Sequence, residues 1–273
     1  MTVEGIRVSS EWLDLREAAD AAARARDLVE HLRRRLPATG RQVIHDLACG
    51  TGAMGRWLAP LLPGPQHWIL HDRDEELLQV AAEDLPGPAA NDASVVVETR
   101  RSDITRLHSD DLADATVITA SALLDLMTVD ELAGLMDVCA APGCPVLTTL
   151  SVAGRVDLAP ADPLDSRVAA AFDAHQRRMT VGGRLLGPDA VAAAVDGFRS
   201  LGAEVIVRPS PWRLGAAEAD LAAEWFTGWF GAACEWDVEL AAEADGYARR
   251  RLDEARTGRL AVTVDHADLL VLP

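Results

Sequence analysis

The chain has 273 residues, of which 49% are hydrophobic, and a formal net charge of −17 at pH 7. The acidic excess argues against a nucleic-acid partner, because a surface that binds nucleic acid must neutralise phosphates. No uninterrupted apolar segment approaches the length of a membrane span, so we expect no membrane partner. The first residues do not have the pattern of a secretory signal, so we expect a cytoplasmic protein.

Hydrophobic periodicity predicts helices that alternate with strands along most of the chain. The first 36 residues have helical spacing, and a Pro- and Gly-containing turn follows at 37–40. Strands are predicted at 42–47, 67–71, 95–100, 116–120, 146–152, 203–208 and 260–271. Helices are predicted from the glycine loop to about 62 and at 74–84, 129–141, 189–201, 217–234 and 237–257, with a loop and a helix within 157–179.

This alternation predicts an α/β fold with a doubly wound, mostly parallel sheet of seven strands. In such sheets the ligand crevice lies at the carboxyl ends of the strands. Polar residues follow four predicted strands at that edge, namely Asp46, Asp72, Asp103 and Ser121. We therefore expect these four residues to belong to one site.

The most informative stretch is Asp46-Leu47-Ala48-Cys49-Gly50-Thr51-Gly52, between a short apolar run and a helical pattern. Glycines at a strand-to-helix turn permit backbone angles that side chains forbid, and they allow a ligand to approach the backbone. The N–H groups of the turn and the dipole of the following helix favour a polar or anionic ligand group.

This stretch resembles the first motif of the class I S-adenosylmethionine-dependent methyltransferases, which is hydrophobic-Asp-x-Gly-x-Gly-x-Gly. Ala48 stands where that pattern has its first glycine. The resemblance covers about 41–152 and implies a Rossmann-like fold that binds S-adenosylmethionine and releases S-adenosylhomocysteine. It also implies that the last two strands form an antiparallel pair.

The resemblance implies a role for each polar group around the cofactor. Asp72 would accept the ribose diol, while Asp74 caps the next helix. Asp103 would accept from the adenine amine; its alternative role is to cap a helical turn. Arg16 is a candidate for the cofactor carboxylate, and its alternative is an exposed helix position. The predicted cofactor residues are Arg16, Asp46, Ala48, Cys49, Gly50, Gly52, Asp72, Arg73, Ser102, Asp103, Ile104 and Ser121.

The substrate side is less specific in the sequence. His175 is the candidate general base, because a neutral histidine can accept a hydroxyl proton near neutral pH; an exposed position on a polar helix face is the alternative. Gln176 and Arg177 are candidates to bind a polar group of the substrate. Leu124 and Trp212 are candidates for apolar walls.

Metal and partner predictions follow from spacing and composition. The four cysteines form no CxxC pair and no Cys/His ligand spacing, so we expect reduced thiols and no zinc site. The carboxylates of Asp157, Asp162 and Asp165 match no ligand pattern either, so we expect an enzyme without a metal ion. We divide the chain into a helical segment at 1–40 that covers the site and a methyltransferase domain at 41–273. A helical insert at about 214–258 is expected to be a cap or the contact of a homodimer.

The sequence thus predicts an enzyme that methylates a small polar metabolite at oxygen. Three alternatives stay open. One is a nicotinamide-dependent oxidoreductase, which would share the ribose acid but needs a pyrophosphate-binding turn. The second is a non-catalytic regulator that keeps the fold and binds the cofactor. The third is a methyltransferase that acts on a protein or peptide.

Overall fold

The computed structural model describes residues 8–37, 39–84 and 86–273. The helices are α1 Ser10–Ala23, α2 Arg26–Arg33, α3 Ala53–Leu58, α4 Glu75–Glu83, α5 Val129–Ala140, α6 Asp165–Gln176, α7 Ala190–Ser200, α8 Ala219–Trp236, α9 Val238–Glu243 and α10 Asp245–Arg256. The strands are β1 Gln42–Leu47, β2 Gln66–Asp72, β3 Val95–Arg101, β4 Val117–Ser121, β5 Val146–Ala159, β6 Met179–Thr180, β7 Gly183–Arg184, β8 Glu204–Pro209, β9 Trp212–Leu214 and β10 Ala261–Leu272.

The central sheet has the predicted α/β architecture. Its strand order is β3-β2-β1-β4-β5-β10-β8, and the first five of these strands run parallel to one another. β10 runs antiparallel to both β5 and β8, which confirms the antiparallel pair implied by the resemblance. The order reverses between β1 and β4, and this reversal creates the crevice in which open α/β sheets bind ligands.

The prediction of seven strands was wrong by one, because the sheet has eight. The additional strand β9 pairs with Val262–Val264 of β10, beyond the part of β10 that pairs with β8. Pro209 is the last residue of β8, and Ser210 and Pro211 separate it from β9 in the sequence. Because proline has no N–H to donate to a ladder, the chain leaves the sheet there and then rejoins the same neighbour.

The predicted N-terminal helix is divided into α1 and α2 by a break at Arg24 and Ala25. Ser9 caps α1 by accepting from the Trp12 N–H. The N–H of Ala25 leaves the helical pattern and donates to the buried carboxylate of Asp268 at 2.7 Å. Residues 1–7 and Ala38 of the predicted segment, and Leu85, lie outside the described residues.

The elements after β5 differ most from the prediction. β5 continues seven residues beyond its predicted end at Val152, to Ala159. The single helix predicted at 237–257 is two helices that meet at Ala244. α8, α10 and α6 pack together around an aromatic cluster that includes Phe226, Trp229 and Tyr247. In the described part of the chain, no helix is long and apolar enough to span a membrane.

Candidate active site

A cavity of about 1010 Å³ opens at the carboxyl ends of the parallel strands. Its lining on one side comes from the loops after β1, β2 and β3, and on the other from β5, β9, β10 and the helices α1, α6 and α8. The volume reaches the upper end of the range of about 300–1,000 Å³ that is usual for ligand pockets. The cavity is therefore large for a ligand pocket.

The glycine loop forms one wall of the cavity through Ala48 and Gly50. Both residues have positive φ, 53° and 56°, which turns the chain sharply between β1 and α3. A Cβ placed on Gly50 would stand 2.9 Å from Cδ1 of Leu13 on α1. Leu13 of the N-terminal helix therefore packs closely on the loop, and a side chain at position 50 would both displace Leu13 and strain the backbone.

Asp72 ends β2 beside this loop and is 8% exposed. Its Oδ2 accepts from the Gly50 N–H at 2.9 Å and its Oδ1 accepts from the Asp74 N–H at 2.9 Å. Each carboxylate oxygen has a second lone pair. Asp72 therefore fixes the loop and can still accept from a ligand in the cavity.

The segment after β3 supplies Ser102, Asp103 and Ile104 to the same side of the cavity. Oδ1 of Asp103 accepts from the Thr105 N–H at 3.0 Å, so this carboxylate does cap a helical turn. The oxygen of Ser102 lies 3.0 Å from Nδ1 of His71, and Nε2 of His71 lies 3.0 Å from Nδ1 of the buried His45. This chain of contacts holds the Ser102 side chain against the sheet.

At the end of β4, Ser121, Ala122 and Asp125 line the cavity between its two sides. Ala122 has a φ of 51°, which directs the chain away from the strand. Asp125 is 8% exposed, and its Oδ1 has no hydrogen-bond partner. Burial raises the pKa of this carboxyl to about 6, although the backbone N–H of Asp125 and, less strongly, the charge of Arg16 oppose that rise. Asp125 is thus a buried proton acceptor in the lining of the cavity.

Arg16 lines the far side of the cavity together with Trp12 and Trp212. Its guanidinium lies 4.9 Å from the centre of the Trp212 ring and 5.9 Å from that of Trp12. It donates to Asp20 at 2.9 and 3.2 Å, and Asp20 also accepts from Nε1 of Trp212 at 2.9 Å. Because of these contacts, the side chain of Arg16 is held in a cation–π arrangement within the cavity wall.

Asp46 lies beneath the glycine loop rather than in the cavity wall. It is 1% exposed, its Oδ1 accepts from Oγ1 of Thr119 at 2.7 Å, and its Oδ2 has no partner. Burial raises the pKa of this carboxyl to about 7. The nearby guanidinium of Arg24, itself 3% exposed, opposes that rise and donates weakly to Ser121 and Thr149 at 3.3 and 3.4 Å.

The predicted cofactor residues fall into two groups. The described cavity lining includes Arg16, Ala48, Gly50, Asp72, Arg73, Ser102, Asp103, Ile104 and Ser121, and it does not include Asp46, Cys49 or Gly52. Gly52 caps α3 with a φ of 83°. The thiol of Cys49 is 9% exposed, and burial raises its pKa well above its ordinary value.

Of the predicted substrate residues, the structure brings only Trp212 to the cavity. His175, Gln176, Arg177 and Leu124 are not among the described residues that line it. Nε2 of His175 lies 3.1 Å from Oε2 of Glu235, and burial lowers the pKa of this imidazole. Arg177 pairs with Asp189 at 2.7 Å.

Several residues of the cavity were not predicted from the sequence. The main ones are Trp12, Asp125, Phe172, Trp225 and His266. Asp125 comes four residues after Ser121, so its position after a predicted central strand could have indicated it. Phe172, Trp225 and His266 come from segments in which the sequence has no motif, and only the tertiary structure brings them together.

Comparisons with known proteins gave likenesses of structure only. No protein-family model and no curated protein sequence matches the chain. A cyclopropane synthase from Mycobacterium tuberculosis is 12% identical over 97% of this chain and 94% of its own, with a TM-score of 0.49. Two further similar structures are S-adenosylmethionine-dependent methyltransferases in complex with S-adenosylhomocysteine, and each match covers 98% of this chain and 100% of the other. The protein from Thiobacillus denitrificans is 14% identical with a TM-score of 0.47. The protein from Geobacter sulfurreducens is 15% identical with a TM-score of 0.46. The activity of this chain must therefore be argued from its own residues.

Proposed function

We propose that the chain is a cytoplasmic methyltransferase that uses S-adenosylmethionine and methylates a small polar metabolite at oxygen, without a metal ion. The observation that carries the proposal is that Gly50, Asp72, Asp103 and Ser121 follow four neighbouring parallel strands and line one cavity. These are the positions at which the sequence motif implies the groups that bind the cofactor.

The residues present are suited to this cofactor. The carboxylate of Asp72 has lone pairs left for the two hydroxyl groups of a ribose. Asp103 and Ile104 offer an acceptor and an apolar surface for a purine one loop farther along the sheet. Gly50 lines the cavity, so a ligand can contact the backbone there, and a side chain at this position would displace Leu13.

When bound, S-adenosylmethionine supplies a methyl group on a positively charged sulfur, which a correctly oriented nucleophile can displace. The protein's contribution is then to hold the acceptor in line at attack distance and to exclude water, and positioning alone can lower the barrier by about 7–11 kcal/mol. In this interpretation the groups of β4 lie between the two ligands, and the wall formed by α1, α6 and α8 encloses the acceptor.

Calorimetric titration tests the cofactor assignment. We expect micromolar binding of S-adenosylmethionine and S-adenosylhomocysteine, and no binding of NAD or NADP. Gly50→Val should abolish the binding, because valine is strained at a φ of 56° and would displace Leu13. The matched control is Gly134→Val, since nothing lies within 4 Å of a Cβ at that position of α5.

Three results would contradict the proposal. Binding of a nicotinamide nucleotide alone would indicate an oxidoreductase, and unchanged S-adenosylhomocysteine binding by Gly50→Val would remove the cofactor from this loop. A folded wild-type protein that binds none of the four compounds would also contradict it.

A further inference from the structure

The half of the cavity that faces away from the glycine loop has aromatic walls, which we call the aromatic half. It consists of Trp12, Phe172, Trp212 and Trp225. These four side chains come from α1, α6, β9 and α8, none of which belongs to the parallel strands that carry the cofactor motif. All except Trp212 are half-buried, so they keep apolar surface facing the cavity.

The rings of the aromatic half are held in place by contacts behind them. Trp225 stacks on Trp229 with ring centres 5.2 Å apart and an angle of 18° between the planes. The indole N–H of Trp212 donates to Asp20, and the guanidinium of Arg16 covers one face of its ring. Fixed aromatic walls favour a flat aromatic ligand, because ring–ring contacts are favourable beyond the burial of apolar area.

Asp125 provides a hydrogen-bond acceptor beside this half. It lies in the short helical turn after β4 and lines the same cavity, and its buried Oδ1 has no hydrogen-bond partner. A buried carboxylate oxygen without a partner is costly, so a ligand group that donates to Asp125 would gain the interaction that the protein leaves unmade.

We infer that the acceptor substrate is a planar hydroxyaromatic molecule, whose ring stacks in the aromatic half and whose hydroxyl group donates to Asp125. This inference rests on the proposed function and specifies its substrate class. Asp125 is then the catalytic base: it takes the hydroxyl proton while the substrate oxygen forms a bond to the methyl carbon. The carbon–sulfur bond breaks with its electron pair left on sulfur, which gives S-adenosylhomocysteine, and Asp125 later releases the proton to water.

The test is a binding experiment with three probes that differ in one property each. The protein is saturated with S-adenosylhomocysteine and titrated, with NMR detection, with 2-naphthol, with decahydro-2-naphthol, which lacks the flat ring, and with 2-methoxynaphthalene, which lacks the hydroxyl hydrogen. We expect 2-naphthol to bind at least about fivefold more tightly than either of the others, because each analogue loses either the ring contacts or one hydrogen bond to a charged group.

Variants assign the binding to the aromatic half. Trp225→Leu and Phe172→Leu should each weaken 2-naphthol binding about two- to tenfold and leave S-adenosylhomocysteine affinity unchanged, which also verifies folding. The control is Trp236→Leu, the same type of change at a tryptophan that is 52% exposed and lies outside this cavity.

A pH series separates hydrogen bonding to Asp125 from a merely structural role. In the wild type, 2-naphthol binding should strengthen between pH 5 and pH 7.5, because Asp125, whose pKa burial raises to about 6, loses its proton in this interval. Burial lowers the pKa of His266 to about 3, below this interval. Burial raises the pKa of Asp46 to about 7, but Asp46 is not among the described residues that line the cavity, and the variants below separate its effect from that of Asp125. Asp125→Asn should flatten the series, whereas Asp130→Asn, the same change on the surface of α5, should preserve it.

The two proposals fail in different ways. Absence of S-adenosylhomocysteine binding would overturn the proposed function before any probe is added. Cofactor binding with equal affinities for 2-naphthol and decahydro-2-naphthol would overturn only the aromatic acceptor, and a pH series unchanged by Asp125→Asn would overturn the role of Asp125.

Discussion

Asp72→Asn is the substitution that most directly tests the cofactor side of the cavity. In the wild type both carboxylate oxygens accept from backbone N–H groups at 2.9 Å, one from Gly50 and one from Asp74. Asparagine keeps the shape of the side chain, but it has one acceptor oxygen, and its NH₂ group must then face a backbone donor. The substitution therefore removes one loop contact and the negative charge together.

The size of both effects can be estimated from these contacts. One buried N–H without an acceptor should lower the free energy of unfolding by about 1–3 kcal/mol. For the ligand, loss of one charge-assisted hydrogen bond to a ribose hydroxyl is worth about 1.5–3 kcal/mol, which is roughly a 10- to 150-fold weaker affinity.

The assay combines calorimetric titration with S-adenosylhomocysteine and urea unfolding of the same samples. Asp130→Asn on the exposed first turn of α5 serves as the matched control and should change neither quantity. A twofold change in affinity corresponds to only about 0.4 kcal/mol. If Asp72→Asn lowers stability but changes the affinity for S-adenosylhomocysteine by no more than this, Asp72 stabilises the loop and does not bind the ribose.

Two further predictions concern the buried acids behind the cavity. Asp268 is 1% exposed and accepts from the N–H groups of Ala25 and Leu150 and from the hydroxyl of Ser210. Asp268→Ala should therefore lower the free energy of unfolding in urea by about 3 kcal/mol or more. The control Asp265→Ala, on the same strand, should lower it far less. Burial raises the pKa of Asp46 to about 7, whereas the carboxyl of an unfolded chain loses its proton near pH 4. The contribution of Asp46 to stability therefore falls as the pH rises from about 4 to about 7. Asp46→Asn should therefore raise the thermal midpoint relative to the wild type more at pH 8 than at pH 5; an equal difference at both pH values would contradict the burial of this charge.

The parallel part of the fold could be predicted because its local signals are strong. β1 has its predicted bounds, and β2, β3 and β4 differ from theirs by one residue at one or both ends. Asp74 caps α4 as predicted, with its Oδ1 3.0 Å from the Glu76 N–H. Apolar runs of this length between glycine and proline turns leave little choice of secondary structure, and right-handed crossovers then determine which ends of the strands meet.

The C-terminal half was harder to predict because its structure depends on distant contacts. β5 runs on to Ala159 because β10 is there to pair with it, and Ala159 pairs with Ala261, about a hundred residues away. The break between α1 and α2 likewise depends on Asp268, which takes the N–H of Ala25. Neither interaction is visible as hydrophobic periodicity in the sequence around Ala159 or Ala25.

The same difference explains why the sequence indicated most residues on one side of the cavity and, of the aromatic half, only Trp212. The cofactor groups follow consecutive strands at one edge of the sheet, so the order of the chain alone brings Gly50, Asp72 and Asp103 together. The aromatic half takes Trp12 from the first helix and Trp225 from the insert before the last strand, more than two hundred residues apart. His175 has the right chemistry and lies on the same helix as Phe172, yet its Nε2 contacts Glu235 of α8 while the ring of Phe172 reaches the cavity. Residues three apart lie on the same face of a helix, about one turn from each other, so neither periodicity nor residue type alone decides which of the two lines the cavity.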